Sequence, residues 1–118
     1  MDATPLEWIC RKQLTPEITV HVLAKGQNLM LCWIQMKKGT QLPVHDHPHE
    51  QVSYVVSGRV RWEIEGRHCD GRAGTAVSFP PNQRHGCLVL EDCVIVDAFT
   101  PLRQDYLDGA EVQTQASG

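Results

Sequence analysis

The 118-residue sequence predicts an all-β fold, a sandwich or barrel. Three observations carry this. Short segments rich in Val, Ile, Trp and Tyr recur along the chain, a strict period of two runs through one of them, and turn residues fall between them at hairpin-like intervals. In order, the predicted strands are 18–24 (ITVHVLA), 29–37 (LMLCWIQMK), 51–57 (QVSYVVS), 59–65 (RVRWEIE), 75–79 (TAVSF), 86–90 (GCLVL) and 93–99 (CVIVDAF). Gly58, Gly66, Asp70-Gly71 and Gly74 punctuate them. The clearest alternation is Arg59 to Glu65, where Val60, Trp62 and Ile64 face a core and the charges face water. No segment reads as a convincing helix. From Asp108 onward the chain is polar and aperiodic, so 1–107 is expected to form a single domain and 108–118 a loose polar tail.

At this length there is room for one core and no second module. Apolar residues make up 42%, as in ordinary globular proteins, and the net charge of −3 offers no basic field for nucleic acid or an anionic membrane. The N-terminus lacks a continuous apolar stretch, so it reads as neither a signal peptide nor a membrane span, and the chain is expected to be cytoplasmic. The five cysteines (Cys10, Cys32, Cys69, Cys87 and Cys93) form no CxxC pair and sit mostly inside apolar runs. They are expected to be buried small hydrophobes rather than a disulfide framework. Trp8 and Ile9 precede the first clear strand. Apolar residues in that place often cover a partner's sheet edge, so a homodimer is expected.

Two histidine-bearing segments describe one metal site. The first runs from Gly39 through His45-Asp46-His47 and Gln51 to Gly58, and the second from Gly74 through Pro80-Pro81-Asn82 to His85. Two residues apart on a strand, His45 and His47 project to the same face and can reach one ion at ~2.0–2.1 Å. Gln51 continues that parity and offers its amide oxygen, and His85 arrives from another strand behind the proline turn. Glu50 is a rival fourth ligand. It has the opposite parity on a regular strand, although a bulge near Pro48 would change that. His49 is expected at the pocket rim, and His21 and His68 at the surface. Three imidazoles and an amide are neutral, which leaves a bound ion its full charge for Lewis-acid work. The expected cofactor is one divalent transition metal, Ni, Fe, Mn or Zn.

Asp97 is out of place in the apolar run Val94–Phe99, because a buried carboxylate is costly unless it is paired or lines a wet cavity. Phe99 shares its parity. Arg103, beyond Pro101, can fold back and grip a carboxylate with two prongs. The alternative is an Asp97–Arg103 ion pair that pins the C-terminal segment, with Phe99 simply in the core.

The two histidine segments resemble the signature segments of the cupin superfamily over residues 18–107, which implies a double-stranded β-helix, or jelly roll. Gln51 stands where many cupins carry glutamate. The words HPHEQ, Gly26-Gln27-Asn28-Leu29-Met30-Leu31 and Asp97-x-Phe99-x-x-x-Arg103 are similar to those of the pectin-degradation cupins, which linearise unsaturated uronate sugars. That resemblance implies His45, His47, Gln51 and His85 as metal ligands and Asp97, Phe99 and Arg103 at the pocket. It implies an isomerase- or lyase-type enzyme acting on a small carboxylated sugar. The rivals are a metal-dependent dioxygenase, a biosynthetic cyclase or isomerase, and a non-enzymatic sugar- or metal-binding protein.

Overall fold

A computed structural model of the chain describes residues 3–113. Nine strands dominate it: β1 (Cys10–Thr15), β2 (Ile18–Lys25), β3 (Met30–Met36), β4 (Gln41–His45), β5 (Glu50–Ile64), β6 (Arg67–Arg72), β7 (Ala76–Phe79), β8 (His85–Thr100) and β9 (Glu111–Val112). A single-turn helix, α1 (Gln104–Leu107), follows β8. Among the described residues no helix is long and apolar enough to cross a membrane. All strand pairings are antiparallel.

The two long strands organise the barrel. β5 and β8 pair along their whole length and change outer neighbours midway. Past the midpoint β5 leaves β7 for β6, while β8 pairs first with β4 and then with β3. The change falls on register shifts at 55–60 of β5. Gly58 sits there at φ +84°, and a Cβ on it would lie 2.1 Å from the Asp92 carbonyl oxygen, so only glycine lets the strands approach this closely. Here sequence and structure differ. The expected pairs 51–57/59–65 and 86–90/93–99 are each one strand bent at a corner. The punctuating Gly58, facing Asp92 across the pair, makes a bulge and not a hairpin.

Alternation along β5 and β8 fills the barrel. Val55, Val60, Val89, Phe79, Phe99, Val20, Val22 and Cys32 are each at most 1% exposed. Trp62 joins them as the period-two pattern requires, while Ile64 is half-buried. Strands β1, β4 and β6 escaped the sequence reading because they are short, largely exposed and carry few branched apolar residues.

The chain ends also differ from expectation. Of the tail expected over 108–118, residues 108–113 return to the barrel instead of trailing away, with β9 pairing along β1 and Arg11 bridging Glu111 at 2.7 Å, and 114–118 lie outside the described residues. Lys12 Nζ donates to the carbonyls of Asp105 and Asp108, which pins α1 to β1. At the other end, Trp33 Nε1 donates to the Ala3 carbonyl, and the Trp8 ring packs edge-on to His21 at 5.4 Å with Arg11 over it. Trp8 therefore sits on its own barrel. His21, expected at the surface, is only 1% exposed because this N-terminal segment covers the outer face of β2. His68 is exposed. All five cysteines are free; four are buried and Cys69 is half-buried.

Candidate metal centre

His45 closes β4 and lies opposite His85, the first residue of β8. His47 falls in the loop beyond β4, and Gln51 faces inward from β5. The common strand parity expected for His45, His47 and Gln51 does not exist, since the chain turns between them. The four side chains converge because a loop and three strand segments meet there. Asn82, at φ +64°, donates its backbone N–H to the His47 carbonyl at 2.8 Å and ties the Pro80–Asn82 turn to this loop. One ligand atom from each of His45, His47 and His85 lies within 4.8 Å of the others.

The hydrogen bonds decide which nitrogens face inward. His45 Nδ1 lies 2.9 Å from the Pro43 carbonyl, His47 Nδ1 3.1 Å from that of His49, and His85 Nδ1 2.8 Å from that of Gln83. A carbonyl only accepts, so each Nδ1 carries the proton and donates it. Burial holds His47 and His85 below the ordinary histidine pKa, with Arg103 adding to the effect at both. In these neutral rings Nε2 keeps a lone pair. His47 Nε2 faces Gln51 Oε1 at 3.1 Å, acceptor against acceptor. Three imidazole lone pairs and an amide oxygen gathered with no donor among them suit a cation. The borderline-soft donor set fits a first-row divalent metal.

Glu50 is exposed and opposite Thr100, outside the cluster that holds the buried Gln51. His49 lies behind the histidine cluster: its carbonyl accepts from His47 Nδ1, its ring meets His47 edge-on at 5.4 Å, and its Nε2 is 3.2 Å from the Leu102 carbonyl.

Asp97 is 6% exposed and directly opposite Ser53. Ser53 Oγ donates to Asp97 Oδ1 at 2.5 Å, and Gln51 Nε2 donates to Ser53 Oγ at 2.9 Å and to Asp97 Oδ2 at 3.4 Å. Burial raises the carboxyl to about 6, against the opposing pull of Ser53 and Arg103. The alternative Asp97–Arg103 ion pair is not made. Arg103 gives Nε and Nη2 to Asp105 at 3.0 and 2.8 Å, with its guanidinium 5.1 Å from the Phe99 ring centre and 4.3 Å from that of Tyr106. Its Nε edge is thus occupied, and the Nη1–Nη2 edge is the one left for a carboxylate. Phe99, 1% exposed, forms a floor under Arg103.

These groups share one cavity of about 210 Å³, lined on its polar side by His45, Gln51, His85, Asp97 and Arg103. Its other wall is apolar, with Ile34, Met36, Trp62 and Ile95. Sequence reasoning missed Ser53 and Tyr106. Ser53 could have been found as a polar residue at an inward position of an alternating strand. Tyr106 gives no such signal, because a four-residue helix places it.

Residues 32–99 match the model of the cupin domain family. The chain belongs to the cupin family. Among its relatives, this cupin is 32% identical over 108 residues to the pectin degradation protein KdgF of Dickeya dadantii (strain 3937), covering 90% of this chain and 94% of that one. The solved structure of KdgF from Halomonas sp. superposes with a TM-score of 0.76 at 31% identity, over 80% of this chain and 90% of that one. An RmlC-like cupin from Shewanella frigidimarina NCIMB 400 gives a TM-score of 0.79 at 29% identity, over 87% and 93% of the two chains. The jelly-roll fold expected from the histidine segments is therefore that of the family, and the similarity to pectin-degradation cupins spans most of the chain.

Proposed function

We propose that this cupin is a metal-dependent isomerase-type enzyme that linearises a small unsaturated uronate. The observation that carries the reading is the placement of one enclosed carboxyl, Asp97, hydrogen-bonded to the Gln51 amide whose oxygen faces His47, in the cavity that His45, His85 and Arg103 also line. The likeness to KdgF proteins supports the choice of substrate. His45, His47, Gln51 and His85 would hold the ion. When bound, a divalent metal supplies Lewis-acid stabilisation for an anionic oxygen of the substrate.

The cyclic unsaturated uronate carries a masked enol. Its conversion to the linear keto form breaks the ring C–O bond at the anomeric carbon, releases the anomeric hydroxyl proton and adds one proton to the enol carbon, so that no proton is gained overall. Asp97 holds that proton at Oδ2, the oxygen not bonded by Ser53, and exchanges it with the substrate. Arg103 meets the substrate carboxylate with its Nη1–Nη2 edge, and Asp105 keeps the guanidinium from swinging. Phe99 and the apolar wall keep bulk water from the reacting carbon. A cavity of about 210 Å³ favours a monosaccharide over a chain. The homodimer expected from the sequence belongs to this reading too. Its support is now the exposed row Val52, Tyr54 and Val56 on β5, with Trp8 engaged on its own barrel. A monomeric mass by light scattering at micromolar concentration would remove it.

The test of function is direct. The ring double bond of the substrate absorbs in the ultraviolet, and protein loaded with Ni, Fe, Mn or Zn should accelerate its loss. No acceleration with any of the four would end the uronate reading and leave the oxidative or ligand-binding alternatives.

A further inference from the structure

Ser53 is 1% exposed and lies between the two groups that the proposed chemistry needs most. Its hydroxyl accepts from Gln51 Nε2 at 2.9 Å and donates to Asp97 Oδ1 at 2.5 Å. A hydroxyl has one proton to give. With that proton committed to the carboxylate, only oxygen lone pairs face Gln51, so the amide must turn its NH₂ group toward Ser53. The amide oxygen is thereby sent to His47, where it lies 3.1 Å from Nε2. A flipped amide would set oxygen against oxygen at both Ser53 and Asp97, and two donor contacts would become repulsions.

We infer that Ser53 is a positioning residue that fixes which end of the Gln51 amide faces the histidine cluster and holds the Asp97 carboxylate in one rotation. It lines the cavity, but its hydroxyl is engaged by Gln51 and Asp97, and it acts through those two neighbours. The inference rests on the reading of Gln51 as a ligand and Asp97 as the proton carrier. It adds a reason for glutamine at position 51: a carboxylate there has no hydrogen to give Ser53 and would stand beside Asp97 as a second anion.

Two double-mutant cycles test it. The first needs no substrate. Zinc affinity, read by competition with a chromogenic chelator, is compared for wild type, Ser53→Ala, Gln51→Ala and the pair. Ser53→Ala should weaken zinc binding about tenfold in the wild-type background, the usual effect of removing a group that orients a ligand, and hardly at all once Gln51 is gone. Wild-type affinity in Ser53→Ala, or a loss that persists in the Gln51→Ala background, overturns the inference. The second cycle reads uronate turnover for Ser53→Ala, Asp97→Asn and the pair, and the double variant should be no slower than Asp97→Asn alone. Additive losses would mean that Ser53 does not act through Asp97. Ser53→Cys keeps the shape with a weak donor. It should show the same zinc loss in smaller degree, and it carries both cycles if the alanine variant does not fold. Absent turnover by wild type would end the uronate reading alone, because the zinc cycle still decides on Ser53.

Discussion

Replacing Asp97 with asparagine is expected to slow the protein and stabilise its metal-free form at once. Burial lifts this carboxyl from an ordinary value of 3.8 to about 6. That displacement corresponds to roughly 3 kcal/mol of penalty for the ionised form. Below pH 3.8 the group is protonated in folded and unfolded chains alike and the penalty is absent. Between 3.8 and about 6 the unfolded chain releases its proton first, so the folded state loses stability as pH rises; above that window the whole penalty is carried. Asparagine has the same shape and no charge. Its oxygen can still accept from Ser53, but its NH₂ then meets that of Gln51, a lost hydrogen bond of about 1 kcal/mol. The balance is a gain of about 2 kcal/mol at pH 7.5 and a loss of about 0.5 kcal/mol at pH 4, where roughly 0.5 kcal/mol of the penalty is already present. At this chain size the gain should raise the melting temperature by roughly 5–10 °C. Turnover of an unsaturated uronate by metal-loaded Asp97→Asn should fall about 10²-fold or more, the worth of a positioned proton-transfer group. Calorimetry of chelator-treated protein at both pH values and the ultraviolet assay supply the two readouts. A variant that melts below wild type by the same margin at both pH values, or that turns over at the wild-type rate, refutes the reasoning.

Other expected outcomes follow from single features. His45→Ala, His47→Ala and His85→Ala should each lose most of the metal found in wild type at close to one ion per chain, as read by elemental analysis; full occupancy in all three would defeat the site. Gln51→Glu should keep the metal yet lose turnover, because the donor to Ser53 and Asp97 becomes an anion beside Asp97; wild-type rates would contradict this. Burial pushes the Cys32 and Cys93 thiols up to about 12 and that of Cys87 to about 11, so at pH 8 Cys69 should take up iodoacetamide well before them by mass spectrometry. Gly58→Ala should cost on the order of 3 kcal/mol or more in chemical denaturation, because its Cβ meets the Asp92 carbonyl at a strained φ.

Side-chain type was legible in the sequence where one residue carried an unmistakable burden. Val60 and Trp62 alternate with charges, and both are buried. Asp97 stood out in an apolar run and does face the cavity. The histidine spacing pointed to a cluster that forms, though for a different local reason, since His47 leaves the strand and Gln51 belongs to the next one. What stayed hidden depends on distant chain. His21 looked like a surface residue because nothing local reveals that Trp8 folds over it. Spacing alone left an Arg103–Asp97 pair open as the alternative to a free grip on a carboxylate, and only α1, which brings Asp105 to the guanidinium's Nε edge, decides against the pair. Gly58 signalled a turn, and only the register between β5 and β8 makes it a corner.

That corner sets a distance within the site. His85 and Asp97 stand on the same strand, and a straight run of that length would hold them roughly 40 Å apart. Instead a short relay joins them: Asp97 to Gln51 at 3.4 Å, Gln51 to His47 at 3.1 Å, and the His47 ring to that of His85 at 5.0 Å between centres. The spacing between the buried carboxyl and the histidine cluster is thus an angle written into the middle of one strand, by residues that touch neither. A substitution at the bend acts like a change in the opening of a pair of tongs. It moves the tips relative to each other, so rate and metal affinity can drift together with every residue of the cavity left in place.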